Sequence, residues 1–214
     1  MSSKPVPINI ISKVCRSVCR IEINDDRVSC FATGFFLKVS DSLKYLITVY
    51  HVIKQDSINK NITLEIWNKK IMRLMANGRF IKYFQSPLDI TAIEIKELDS
   101  IYKDIEFLDL DYNFIKNGYK IYKGLDIFSI YYQYGREAVT SSGRIIEIDP
   151  DPSFPEFSHN IPTSQGSTGC PIILLNDNVN LIKVIGIHKE KDAKKKIGRA
   201  SFIGEIINEI NRTN

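Results

Sequence analysis

The sequence predicts an all-β protein, an antiparallel sandwich or barrel rather than a chain of alternating strand-helix units. Three observations carry this. Short segments rich in Ile, Val, Phe and Tyr recur along the chain, clusters of Asn, Asp, Gly, Ser and Pro separate them, and only one stretch has helical periodicity. In order, the strand-like segments are Val14–Ile23, Cys30–Val39, Tyr45–Val52, Ile62–Trp67, Ile90–Ile95, Ile127–Tyr132, Gly143–Ile148, Pro171–Leu175 and Leu181–His188. Turn clusters fall between them at Asp25-Asp26, Ser40-Asp41-Ser42, Asn77-Gly78 and Asp149-Pro150-Asp151-Pro152. The helical stretch is terminal: Ile203–Ile210 spaces its isoleucines to form one apolar stripe.

Between two strand-rich halves, Leu98–Gly124 alternates Asp, Lys and Tyr with few β-branched residues. This soft boundary divides the chain into expected units at 8–110 and 111–214, each a common domain size. The run Lys189–Lys196 is the one charge block and reads as a solvated hairpin tip.

Composition narrows the function classes. The chain has 214 residues, 43% hydrophobic and 25% charged, which excludes a disordered or collagen-like protein. A net charge of +4 is mild, so nucleic acid is a disfavoured partner. No run of eighteen apolar residues exists, and the first thirty residues lack a signal-peptide core, so the expectation is a cytoplasmic protein with no membrane span. Cys15, Cys19, Cys30 and Cys170 do not pair with His51, His159 or His188 at zinc-ligand spacing. We therefore expect free thiols packed as small hydrophobes in a reducing compartment, and neither metal nor cofactor.

Three segments carry chemistry. In Leu46–Ile53 an imidazole, His51, interrupts an apolar run and must find hydrogen-bond partners or bear a desolvation cost. In Ser86–Ile93 a carboxylate, Asp89, stands at the mouth of a buried strand, where Asp is otherwise depleted. In Thr163–Ile172 small residues bracket a hydroxyl, with Gly166 two before Thr168 and Gly169 one after. Such a turn lets backbone amides point at a substrate oxygen, as an oxyanion hole requires.

Taken together, the order His, Asp, hydroxyl resembles the trypsin-like (chymotrypsin-fold) serine peptidases. Thr48–Val52 is similar to that family's His segment, and Asp89-Ile90-Thr91-Ala92 to its Asp segment. Gly166-Ser167-Thr168-Gly169-Cys170-Pro171 resembles the Gly-x-Ser-Gly-x-Pro segment, and Gly34-Phe35-Phe36 the strand before the histidine. The resemblance covers nearly the whole chain and is nearest the disulfide-free branch of glutamyl endopeptidases and viral 3C-like proteases. It implies two six-stranded antiparallel β-barrels with the site in the cleft between them, followed here by the short C-terminal helix.

The roles it implies follow the triad logic. His51 is the general base, Asp89 holds its tautomer, and the amides of Gly166 and Thr168 form the oxyanion hole. The departure is at position 168, where Thr replaces the family's Ser. Its β-branch fixes the rotamer and adds a methyl group beside the reacting oxygen. Thr163, five residues before Thr168, and His188 match the pair that reads a Glu or Gln side chain in those relatives. Lys189-Glu190 follow where relatives often carry glycine, and His159 has no assigned role. The resulting expectation is an endopeptidase of an intracellular protein, competent as synthesised or switched by a regulatory partner. Its alternative is an inactive relative that binds peptides in the same cleft.

Overall fold

A computed structural model describes residues 5–25, 28–58, 60–149, 151, 155–175, 182–192, 194–204, 206 and 210. Turn residues Asp26, Pro150, Pro152 and Ala193, strand residue Leu181, and positions 205 and 207–209 of the terminal stretch lie outside the described residues.

The fold is all-β. The N-terminal half contributes β1 (Val18–Asp25), β2 (Val28–Lys38), β3 (Lys44–Val49), β4 (Asn61–Ile66), β5 (Ile71–Arg73), β6 (Ile81–Phe84) and β7 (Ile90–Glu94). These pair antiparallel in the order β5-β4-β1-β2-β3-β7-β6. The C-terminal half contributes β9 (Asp126–Gln133), β10 (Glu137–Ile148), β11 (Glu156–His159), β12 (Pro171–Leu174), β13 (Lys183–Asp192) and β14 (Ile197–Phe202). They close into a six-stranded antiparallel barrel, β9-β10-β11-β14-β13-β12 and back to β9. Between the halves, β8 (Leu108–Leu110) runs parallel to both β2 and β13.

Strand alternation explains how two cores form from one sheet. On β3, Leu46 points into the N-terminal core with Cys19, Ile21, Phe36, Leu64 and Ile93. Its neighbours Tyr45, Ile47 and Val49 point the other way, into the cluster that fills the C-terminal barrel. Both faces of β3 are buried, which is why the segment reads as an unbroken apolar run.

Two expectations need correction. The segment starting at Val14 is not strand until Val18; Ile8–Cys15 is instead a helix, α1. Its Ile10 and Val14, four apart, are buried in the C-terminal cluster, so tertiary burial overrides the strand preference of a β-branched sequence. The charge block is only partly a solvated tip. Lys189–Asp192 extend β13, and Lys189 is 8% exposed. In the terminal stretch, the described residues Gly204, Ile206 and Ile210 are helical, and both isoleucines are fully buried.

Candidate functional site

β3 ends at Val49, and the chain then turns, with Val52 and Ile53 donating backbone hydrogen bonds to the Val49 carbonyl. The buried Thr91 hydroxyl donates to the Ile53 carbonyl at 2.7 Å and pins that turn from below. His51 therefore lies beyond the strand, not within it, and its side chain is 47% exposed. It is thus half in solvent and not enclosed in an apolar run. Asp89 sits one residue before β7 with φ +56°, a left-handed conformation that Asp tolerates better than most residues.

The two side chains meet. Asp89 Oδ1 accepts from the His51 backbone amide at 2.9 Å, and Oδ2 lies 2.6 Å from His51 Nδ1. An ionised carboxylate can only accept, so Nδ1 carries the proton and Nε2 presents a lone pair. Nε2 makes no hydrogen bond among the described residues.

The Thr168 turn belongs to the C-terminal half but is strapped to β2. The Thr33 amide donates to the Thr168 carbonyl at 2.9 Å, and the Thr33 hydroxyl donates to the Gly166 carbonyl at 2.7 Å. Thr48 in turn donates its hydroxyl to the Thr33 carbonyl at 3.1 Å. Thr33 thus ties the turn to the strand end from which His51 departs. Two glycines make this close approach possible. A Cβ on Gly166 would stand 2.1 Å from the Tyr132 carbonyl oxygen, and one on Gly169 would stand 2.1 Å from that of Thr33. Both have positive φ, +95° and +86°. Among the described residues, the amides of Gly166 and Thr168 donate no hydrogen bond, and none joins the Thr168 hydroxyl to His51.

Beside this turn lies a second histidine pair. The His188 backbone clamps the turn, its carbonyl accepting from Gly169 and its amide donating to Cys170. Its ring is buried against His159, with His159 Nε2 3.1 Å from His188 Nδ1. The Ile161 amide donates to His159 Nδ1 at 3.2 Å, so the proton of His159 is on Nε2 and is given to His188 Nδ1. His188 then holds its own proton on Nε2. Burial depresses both pKa values, to about 3 for His159 and about 4 for His188, helped by the His188 ring for the former and by the Lys191 charge for the latter. Near neutral pH both rings are uncharged donors.

Thr163, 7% exposed, has a hydroxyl without a partner among the described residues, and Lys191 Nζ donates to its carbonyl at 3.0 Å. His159, without a role in the sequence, is therefore the residue that sets the tautomer of His188. The signal was Gly198, whose missing Cβ leaves the space for the His159 ring; a Cβ there would be 2.3 Å from Cε1.

A cavity of about 410 Å³ opens in front of His51 and Asp89, lined also by Pro87, Glu156, Lys189 and Arg199. It is charged rather than apolar. Among the described residues no group of three or more His, Cys, Asp or Glu side chains could hold a metal ion, and no helix is long and apolar enough to cross a membrane.

No family model and no curated protein matches the chain. Solved structures do. The active form of the Rv3671c protease from M. tuberculosis superposes with a TM-score of 0.71 at 18% identity, covering 99% of this chain and 87% of that one. Its inactive form gives 0.67 at 18% identity, covering 99% and 97%. The serine endoprotease from Yersinia pestis gives 0.70 at 14% identity, covering 98% and 67%. At these identities the likeness is one of fold: the chain has the double β-barrel of chymotrypsin-like serine proteases.

Proposed function

We propose that this chain is an endopeptidase of an intracellular protein, cleaving after Glu or Gln with His51, Asp89 and Thr168. The observation that carries the reading is the His51 tautomer: Asp89 fixes the proton on Nδ1 and leaves Nε2 able to take one. The units at 8–110 and 111–214 each supply one side of the site.

In the proposed reaction Thr168 Oγ1 attacks the scissile carbonyl carbon as its proton passes to His51 Nε2. The carbonyl electron pair moves onto oxygen, where the amides of Gly166 and Thr168 donate to it. His51 then delivers its proton to the leaving amine as the C–N bond breaks. Water repeats the sequence on the acyl-threonine and releases the acid. Asp89 stays ionised throughout and stabilises the imidazolium.

The threonine methyl crowds the attacking oxygen, and a displacement of about 1 Å there would cost about 100-fold in rate. The side chain recognised is an acceptor. His188 Nε2–H and the unpartnered Thr163 hydroxyl are the matching donors, and the nearby Lys191 ammonium favours the carboxylate of Glu over the amide of Gln. Four free cysteines fit a reducing, cytoplasmic setting.

A second reading, a peptide-binding module without turnover, is favoured by the missing hydrogen bond between Thr168 and His51. One experiment separates the two. A peptide library is offered to the wild type, Thr168→Ser and Thr168→Ala. The peptidase reading expects cleavage by the wild type, an increase of about 10- to 100-fold in Thr168→Ser, and none in Thr168→Ala. Silence from both hydroxyl-bearing forms, with peptide binding retained, selects the binding module.

A further inference from the structure

Lys189 is out of place for a surface charge run. Its neighbours on β13 pair in sequence with β14, His188 with Ala200 and Glu190 with Arg199, so Lys189 is the extra residue of a β-bulge. Bulges re-aim side chains, and this one sends the lysine inward. The ammonium, almost wholly buried, donates to the Pro87 carbonyl at 2.7 Å and is ion-paired to Glu156. Glu156 is held in turn by Arg199 Nη2 at 2.8 Å.

One residue further along the loop, the Leu88 carbonyl accepts from the Ser201 hydroxyl on β14 at 2.8 Å. Two successive carbonyls immediately before Asp89 are thus gripped from the opposite half of the molecule. Asp89 follows in its left-handed conformation, with its own amide donating to the Gln85 carbonyl at 3.0 Å. The loop is fixed at both ends of the Ser86–Asp89 segment, and its last residue carries both oxygens that orient His51.

We infer that Lys189 is a positioning residue: through the Pro87 carbonyl, with Ser201 as its partner, it sets the placement of Asp89 and so the orientation of the His51 ring. The inference rests on the proposed catalytic role of that pair. It also gives a role to a lysine, a residue type rarely buried, beside the proposed recognition histidine. Glu156 supplies the counter-charge and the Pro87 carbonyl a further acceptor, the two conditions under which a buried ammonium can stay charged.

The test is Lys189→Met, which keeps the aliphatic stem and leaves Glu156 paired with Arg199. Two readouts are taken: the proton resonance of His51 Nδ1–H, and kcat and KM on a cleaved peptide. The expected result is a shifted or exchange-broadened resonance, a kcat lowered about 10- to 100-fold and a KM within twofold, with Lys189→Arg restoring most of both. A resonance identical to the wild type overturns the inference, whatever happens to kcat or to thermal stability. If the wild type cleaves no peptide, the peptidase reading fails while the resonance still decides the tether. If Lys189→Met does not fold, Ser201→Ala removes the second grip alone; a smaller shift of the same resonance is expected, and no shift overturns the inference.

Discussion

The molecule contains two histidine contacts built from the same ring and opposite surroundings. His51 meets a carboxylate at the surface of the N-terminal half; His188 meets another imidazole inside the C-terminal barrel. At the first, an acceptor-only partner puts the proton on Nδ1 and leaves Nε2 free to gain one. At the second, the Ile161 amide starts a donor chain that ends with the proton on Nε2. In the proposed reaction one ring moves a proton and the other holds one. Partner chemistry decides this, and burial reinforces it, since a buried imidazole without a counter-charge resists becoming a cation.

The strongest way to break the contrast is Asp89→Asn. The His51 backbone amide already claims Oδ1, so the single oxygen of Asn stays there and its NH₂ faces Nδ1. Nδ1 must then accept, the proton moves to Nε2, and His51 becomes a copy of His188. We expect kcat for peptide cleavage to fall about 10⁴-fold while the fold is kept.

A smaller effect comes from the buried pair. His159 and His188 have pKa values depressed to about 3 and about 4 from 6.5, so the unfolded chain binds more protons than the folded one in the interval between. Stability from this source is present above about pH 6.5 and is lost as the pH falls toward 4. In His188→Gln the loss of melting temperature over that interval is expected to be shallower than in the wild type. Equal slopes in the two proteins mean that the imidazole at 188 is not held neutral.

The smallest expected change is in selectivity. Lys191 is exposed, so its charge is screened and contributes little energy. In Lys191→Met the ratio of Glu to Gln cleavage is expected to drop about two- to fivefold, read as kcat/KM on a matched pair of peptides.

These differences mark what a sequence can carry. Most strands were legible because β-branched and aromatic runs alternate with turn residues, and β3 stood out because both its faces are buried. The segments around His51, Asp89 and Thr168 were legible because each sits against a strand end. Helix α1 was not, since three isoleucines and a valine in eight residues read equally well as strand until the C-terminal cluster claims Ile10 and Val14. β8, only three residues long, lies in a polar stretch without a pattern of its own. Lys189 was misread for a physical reason too: a bulge changes which way a side chain points without changing composition. The His159–His188 contact depends on Gly198, thirty-nine residues away from His159, and no local spacing encodes it.

β8 itself has a mechanical consequence. Each of its edges is taken up by a parallel ladder, Leu37 with Leu108 on one side and Val184 with Leu110 on the other. The strand is a splice between two plies, and a swing of one barrel away from the other would have to shear main-chain bonds at Leu108–Leu110. Among the described residues, the place where a clamshell would hinge is instead crossed by these two ladders. On the proposed function, adaptation to an incoming peptide would then fall to side chains and loops.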